Sequence, residues 1–163
     1  MIRKILMTTT ATLLLAGGAF AQPTPVQEID VNADLTAIKN PAAAAYFAKL
    51  PDDLQARIAA DLAPDRLVTE GGSKITVDID ALALASSWAA LNDLSQSKLT
   101  GTVSVTSDVD NSNFDNYTLT VAYPDVIAFL PEGADVTSLT KDSPVYYQAM
   151  VNAFADHVVK SLK

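Results

Sequence analysis

Residues 98–124 read KLTGTVSVTSDVDNSNFDNYTLTVAYP, two alternating runs joined by a polar turn. The apolar side of the first run carries Leu99, Gly101, Val103 and Val105. The corresponding side of the second run carries Tyr117, Leu119, Val121 and Tyr123. The opposite side is rich in Thr. A period of two is typical of strands with one buried face, and the Asp/Asn-rich spacer predicts an antiparallel hairpin. Its apolar face requires a cover from the rest of the chain.

Two further stretches alternate in the same way. Residues 28–35, EIDVNADL, predict a strand at a sheet edge, because its polar side is strongly acidic. Residues 73–84, SKITVDIDALAL, predict another strand after the Gly71-Gly72 turn. With the hairpin, these stretches give a sheet of about four strands.

Helical signals lie between and after the strands. Asn40 and Pro41 are the cap and first position of a helix over 41–50, and a second helix over 51–62 ends before Pro64. We interpret residues 85–97 as a short helix. The last helix starts after Ser143, and its apolar stripe consists of Tyr147, Val151, Phe154, Val158 and Leu162.

The sum of these elements predicts one α+β domain over residues 22–163. Its antiparallel β-sheet has helices packed on one face, and the C-terminal amphipathic helix crosses the apolar face of the hairpin. No internal repeat divides the chain.

Residues 1–21 have the three parts of a secretion signal. Arg3 and Lys4 form a basic start, a short apolar run follows, and Ala19-Phe20-Ala21 is an A-x-A cleavage site. We therefore expect cleavage before Gln22 and a periplasmic or secreted bacterial protein.

Charge and cysteine content narrow the function classes. Arg3 and Lys4 are the only charged residues in 1–21, so residues 22–163 carry nine basic and 19 acidic side chains, a formal net charge of −10. This charge disfavours nucleic acids and would attract a basic partner. The absence of Cys excludes disulfides, thiol catalysis and thiolate metal sites.

The hairpin turn is a candidate cation site. Its oxygen-bearing side chains are Asp108, Asp110, Asn111, Asn113, Asp115 and Asn116. Clustered oxygens suit Ca²⁺, but the spacing is not that of an EF-hand. The same residues are preferred turn formers, so the metal hypothesis competes with a simple loop.

Three arrangements of residues are candidates for catalytic chemistry. Ser95 and Lys98 match the S-x-x-K spacing of penicillin-binding proteins, but Lys98 opens a predicted strand where that chemistry needs a helix. His157 is the single histidine and flanks the helical stripe. Asp78 and Asp80 are expected to project from one strand face, where solvent would keep both ionised. We assign no catalytic residue, metal or cofactor from these patterns.

Aromatic residues supply one ligand hypothesis. Those that could line a cleft between helices and sheet are Tyr46, Phe47, Tyr117, Tyr123, Tyr146, Tyr147 and Phe154. Core packing explains the same residues.

The favoured function is a non-catalytic binding or interaction role in the cell envelope. The alternatives are a small carrier of an apolar ligand held between the helix and sheet layers, and an enzyme whose site is assembled from distant residues. The expected partners are a basic envelope protein or an apolar small molecule.

Overall fold

The computed structural model describes residues 23–89, 93–109, 114–140 and 142–162, so the predicted secretion signal at 1–21 lies outside the described residues. The strands are β1 (Val26–Ala33), β2 (Ser73–Ile79), β3 (Lys98–Ser107) and β4 (Asp115–Ala122). The α-helices are α1 (Pro41–Tyr46), α2 (Leu50–Asp61), α3 (Ala81–Ala89), α4 (Tyr123–Ile127) and α5 (Pro144–Ser161). Short 3-10 turns occupy Leu35–Ala37, Pro64–Arg66 and Leu94–Gln96.

The four strands form one mixed sheet in the order β1-β2-β3-β4. The predicted hairpin is confirmed, because β3 and β4 are antiparallel with Leu99 opposite Val121 and Val103 opposite Tyr117. β1 is at an edge, as predicted, but it runs parallel to β2. The expectation of a purely antiparallel sheet is therefore wrong. The crossover through α1 and α2 is long enough to return the chain to the same end of the sheet.

The first two helices follow their sequence signals. The Asn40 Oδ1 accepts hydrogen bonds from the N–H groups of Ala42 and Ala43, at 2.9 and 3.2 Å, which caps α1. In α2, Leu54 and Ile58 are fully buried, and the helix packs against β1 and α5.

The predicted strand over 73–84 ends early, at Ile79. Asp80 then caps α3, because its Oδ1 accepts hydrogen bonds from the N–H groups of Leu82 and Ala83 at 2.9 and 3.0 Å. The helix predicted over 85–97 thus begins four residues earlier than expected, and α3 spans Ala81–Ala89. The Ser87 hydroxyl ties α3 to β3 by donating to the Lys98 carbonyl oxygen and accepting from the Lys98 N–H.

The C-terminal helix α5 packs on the hairpin strands, as predicted, and also along α2 and α4. Val151, Phe154 and Val158 of the predicted stripe are fully buried, whereas Tyr147 and Leu162 are half-buried. The buried surface of α5 is wider than the stripe and also includes Tyr146, Ala149, Met150, Ala153 and Ala155.

The end of the predicted hairpin is a short helix, α4, instead of strand. Val126 of α4 is buried, and Phe129 and Leu130 pack beside the core, so this connection lies against the body of the domain. None of the helices in the described ranges is both long and apolar enough to cross a membrane.

Candidate functional site

The face of the sheet opposite the helices is a broad polar surface, and we call it the open face. None of its side chains is buried, whereas the alternate residues of β2 and β3 point into the core. β1 and β2 contribute Glu28, Asp30, Asn32, Lys74, Thr76 and Asp78. β3 and β4 contribute Thr100, Thr102, Ser104, Thr106, Asn116, Thr118 and Thr120.

Strand register arranges the open face in rows. One row runs from Asp30 through Thr76 and Ser104 to Asn116. The next runs from Asn32 through Asp78 and Thr102 to Thr118. Neighbouring strands are about 4.8 Å apart, so each row is a line of closely spaced donors and acceptors.

Hydrogen bonds link open-face side chains of β3 to those of β4. The Asn116 Nδ2 donates to Ser104 Oγ at 2.6 Å, and the hydroxyls of Thr100 and Thr120 are 3.1 Å apart. Both links join β3 to β4, so they hold the hydroxyl-rich half of the open face in a fixed arrangement.

The β1 side of the open face is acidic. Lys74 Nζ lies 2.7 Å from Glu28 Oε1 and 3.9 Å from Asp30 Oδ2. The hydrogen bond to Glu28 raises the pKa of Lys74. Asp78 is exposed one row further along β2, without an ion pair among the described residues. Three carboxylates, those of Glu28, Asp30 and Asp78, therefore outnumber the single ammonium group of Lys74 on this part of the surface.

The aromatic residues expected in one cleft are divided among separate places. Tyr46 is the centre of a cluster in which its ring lies 5.0 Å from Phe47, 5.1 Å from Trp88 and 5.4 Å from Tyr147. The other members of the predicted cleft are dispersed: Tyr146 borders this cluster and pairs with Tyr123 at 6.2 Å, Phe154 is fully buried, and Tyr117 is on β4.

Hydroxyl groups anchor the Tyr46 cluster. Tyr147 Oη donates to Asp53 Oδ2 at 2.7 Å, and Tyr46 Oη donates to the Ser143 carbonyl oxygen at 3.3 Å. Burial raises the pKa of both tyrosines, and the hydrogen bond to Asp53 adds to the effect at Tyr147. These contacts join α1, α2 and α5, so the cluster stabilises the packing of these three helices.

A small cavity lies between this cluster and Tyr146. Its volume is about 10 Å³, close to the minimum for one water molecule. The Tyr146 hydroxyl is buried, and burial raises its pKa, an effect that the nearby Ser97 side chain partly offsets. The space between the layers at this point therefore accommodates no larger ligand in the described conformation.

A larger groove lies outside the core, along the first turns of α5. Its volume is about 510 Å³, and its lining residues are Phe129, Pro131, Pro144, Val145, Gln148, Ala149 and Asn152. The Gln148 Nε2 donates to Asn152 Oδ1 at 3.1 Å, which leaves the floor of the groove mainly apolar. The sequence analysis did not identify this groove, because its lining comes from a loop and one helix face that only the tertiary fold brings together.

The candidate cation turn is described only in part. Asp110, Asn111 and Asn113 lie outside the described residues. Asp108 is exposed, and the Asp115 Oδ1 accepts a hydrogen bond from the Asn116 N–H at 2.9 Å. In the described ranges, no three His, Cys, Asp or Glu side chains cluster as metal ligands. The cation site stays a prediction.

The structure separates the residues considered for catalysis. Ser95 belongs to a 3-10 turn and Lys98 opens β3, the strand position that the sequence indicated. His157 is half-exposed on α5. The expected pairing of Asp78 with Asp80 on one strand face is wrong, because β2 ends before Asp80 and the Asp80 carboxylate caps α3.

No protein family, curated protein or solved structure matches this chain.

Proposed function

We propose that this chain is exported and that its secretion signal is cleaved after Ala21. The remaining protein acts in the periplasm or outside the bacterial cell as a non-catalytic binding protein. The observation that carries the binding role is the open face: thirteen polar side chains on four strands, none of them buried. All described α-helices that contact the sheet leave this surface accessible. A polar sheet face left open by the helices is suited to contact with another macromolecule.

The chemistry of the open face favours a basic segment of an envelope protein as the partner. Carboxylates of Glu28, Asp30 and Asp78 would pair with Lys or Arg, and such charge-assisted hydrogen bonds are stronger than neutral ones. The neighbouring Thr hydroxyls both donate and accept, so they would bind backbone groups of the same segment. The net charge of −10 on residues 22–163 would speed the encounter with a basic partner.

Site-specific photo-cross-linking in an exporting host tests this proposal. A photoreactive side chain at Thr102, in the middle of the open face, should capture a partner. The same group at Gln55, an exposed position on α2, is the control and should capture much less. Equal capture at both positions, or capture only at Gln55, would contradict binding through the open face.

Charge reversal tests the expected chemistry of the partner. Asp78→Lys should reduce the cross-link from Thr102 at least tenfold, because it turns an attractive charge repulsive. Glu132→Lys, at an exposed loop position away from the sheet, makes the same change in net charge and should leave the cross-link unchanged. An equal loss in both variants would point to net charge alone.

Export has its own test. The chain recovered from the periplasm or medium should begin at Gln22. Recovery of an intact N-terminus from the cytoplasm would refute export while leaving the binding proposal testable with purified protein.

The groove beside α5 favours a second candidate function, the carrier of an apolar small molecule. Its volume of about 510 Å³ is in the range of ligand pockets, about 300–1,000 Å³. Native mass spectrometry of gently purified protein should then show an added mass that denaturation removes. Val145→Trp, at an exposed position of the lining, would fill the groove and abolish that added mass, whereas Gln55→Trp would not.

A further inference from the structure

Among the described residues, the outer edge of β4 has open N–H groups only in its middle. In β3, the Lys98 N–H and carbonyl are hydrogen-bonded to Ser87, and the Thr100 carbonyl accepts from the Asp80 N–H. The backbone N–H and carbonyl groups of even-numbered β3 residues therefore point away from β4. Because pairing alternates along an antiparallel ladder, the backbone groups of even-numbered β4 residues point outward, away from β3. These residues are Asn116, Thr118, Thr120 and Ala122.

The two ends of this edge are closed by carboxylates. Asp115 Oδ1 accepts from the Asn116 N–H, and Asp125 Oδ2 accepts from the Ala122 N–H, both at 2.9 Å. The N–H groups of Thr118 and Thr120 have no acceptor among the described residues. The open part of the edge is therefore two alternate residues long.

The opposite edge of the sheet, at β1, is better protected against pairing with a strand of another chain. The Val68 N–H donates to the Val26 carbonyl oxygen at 2.9 Å, so a neighbouring segment covers the start of β1. A register irregularity follows between Val26 and Glu28, and Glu28 and Asp30 add charge. Bulges, charges and covering segments are the usual means of preventing edge pairing. β4 has no Pro or Lys, and its pairing with β3 has no register shift.

We propose that β4 pairs antiparallel with β4 of a second copy of this chain about a two-fold axis at Leu119. In this register, Thr118 lies opposite the partner's Thr120 and Thr120 opposite the partner's Thr118. Each pair exchanges two backbone hydrogen bonds, so the N–H and carbonyl groups of Thr118 and Thr120 are satisfied in each copy. The closed residues Asn116 and Ala122 fall opposite each other, where no new bond is required.

Side chains on both faces fit this register. Leu119, which is half-buried, meets the partner's Leu119 on the helix side, and Tyr117 lies opposite the partner's Val121, which is already buried in its own copy. Phe114, 64 % exposed and directly before β4, comes beside the end of the partner's β4. Asp115 is the only charged residue of β4, and it lies far from its symmetry mate. A two-fold axis makes the same surface serve both copies.

A single cysteine tests the register directly, since the chain has none of its own. In the proposed dimer, residue 119 faces its symmetry mate as a non-hydrogen-bonded pair with Cα atoms about 4.5 Å apart, within the range that a disulfide spans. Leu119→Cys in the exported protein should give a disulfide-linked dimer on mild oxidation. Tyr117→Cys is the matched control, because it faces position 121, and should stay monomeric under denaturing conditions.

Sedimentation velocity over a concentration series tests the association itself. The exported chain should show a species of twice the monomer mass. Thr118→Pro removes an outward N–H that β3 does not use, so it should abolish the dimer and leave the circular dichroism spectrum unchanged. Thr118→Val keeps the N–H and should still dimerise.

Any of three results would overturn the proposal. One is a monomer at all concentrations with no disulfide at position 119. Another is a dimer that survives Thr118→Pro without forming that disulfide, which would place the interface on another surface. Cross-linking from position 118 to a different protein, with no self-association, would likewise overturn two-fold pairing and assign the edge to a foreign strand. The proposal does not depend on the binding role of the open face.

Discussion

The Phe154 ring of α5 packs directly on the backbone of Gly101 in β3. A Cβ atom added at position 101 would lie 3.3 Å from Phe154 Cζ. It would also lie 3.1 Å from both the Asp78 carbonyl oxygen and Ile79 Cδ1. All three distances are tighter than ordinary van der Waals contact. The missing side chain at position 101 therefore lets the C-terminal helix approach the centre of the sheet.

Gly101→Ala should destabilise the fold, although Ala is ordinarily less unfavourable than Gly inside a strand. Overpacking costs about 1–3 kcal/mol, against a gain of about 0.4–1 kcal/mol from a less flexible unfolded chain. We expect a net loss of about 1 kcal/mol in the free energy of unfolding, measured by urea denaturation.

The double variant Gly101→Ala with Phe154→Leu tests whether contact with the Phe154 ring causes that loss. A shorter side chain at position 154 would make room for the new methyl group. The cost of the double variant should then be at least 0.5 kcal/mol below the sum of the two single costs, the smallest coupling typical of residues in contact. Strict additivity would show that Phe154 does not limit the space at position 101.

Phe154→Asp should unfold the domain or lower its melting temperature severely. Phe154 is fully buried in the stripe of α5, and an ionised carboxylate there would have no partner in the core. Asn152→Asp, on the outer face of the same helix, is the control and should change the melting temperature little. An unchanged melting temperature for Phe154→Asp would contradict the packing of α5.

Asp80→Ala should cost about 1 kcal/mol in the free energy of unfolding, as loss of a helix cap usually does. The carboxylate of Asp80 accepts two backbone N–H groups at the start of α3. Asp80→Asn should retain most of the stability, because Asn is also a good cap. Asp78→Ala changes an exposed residue two positions earlier and should cost less than about 0.5 kcal/mol. Equal losses at 78 and 80 would argue against the cap.

The limits of sequence reasoning are visible at this same junction. Asp80 is a typical helix-capping residue, but the sequence DIDALAL continues the apolar alternation of β2. The alternation therefore predicted strand where α3 begins. The hairpin and α5 were predictable because their apolar periods are long and uninterrupted. The direction of β1 was not, since a period of two fixes which face is buried and says nothing about which way the neighbouring strand runs.

The candidate surfaces were predictable to different degrees. The Thr side of the hairpin followed from alternation alone, so half of the open face could be located from the sequence. The groove beside α5 and the Gly101 contact depend on distances between elements far apart in the chain. No local pattern encodes those distances, and they became visible only in the fold.

The tyrosines give a prediction for alkaline pH. Burial raises the pKa of Tyr46, Tyr117, Tyr146 and Tyr147 above the ordinary value of about 10. Above that pH the unfolded chain releases these protons while the folded chain retains them, so the unfolded state binds fewer protons and stability falls as pH rises. The stabilisation is complete below pH 10 and is lost progressively towards the higher pKa values of the folded state.

Melting temperatures between pH 8 and pH 11.5 test this sign. The wild-type melting temperature should drop steeply above about pH 10, and the drop should be shallower in Tyr147→Phe, which has one fewer proton to release. Asp53→Asn removes the charge next to Tyr147 and leaves its burial unchanged, so its slope should fall between those of the wild type and Tyr147→Phe. A Tyr147→Phe slope identical to that of the wild type would mean that Tyr147 ionises in the folded protein as readily as in the unfolded chain, contrary to its buried hydrogen bond with Asp53.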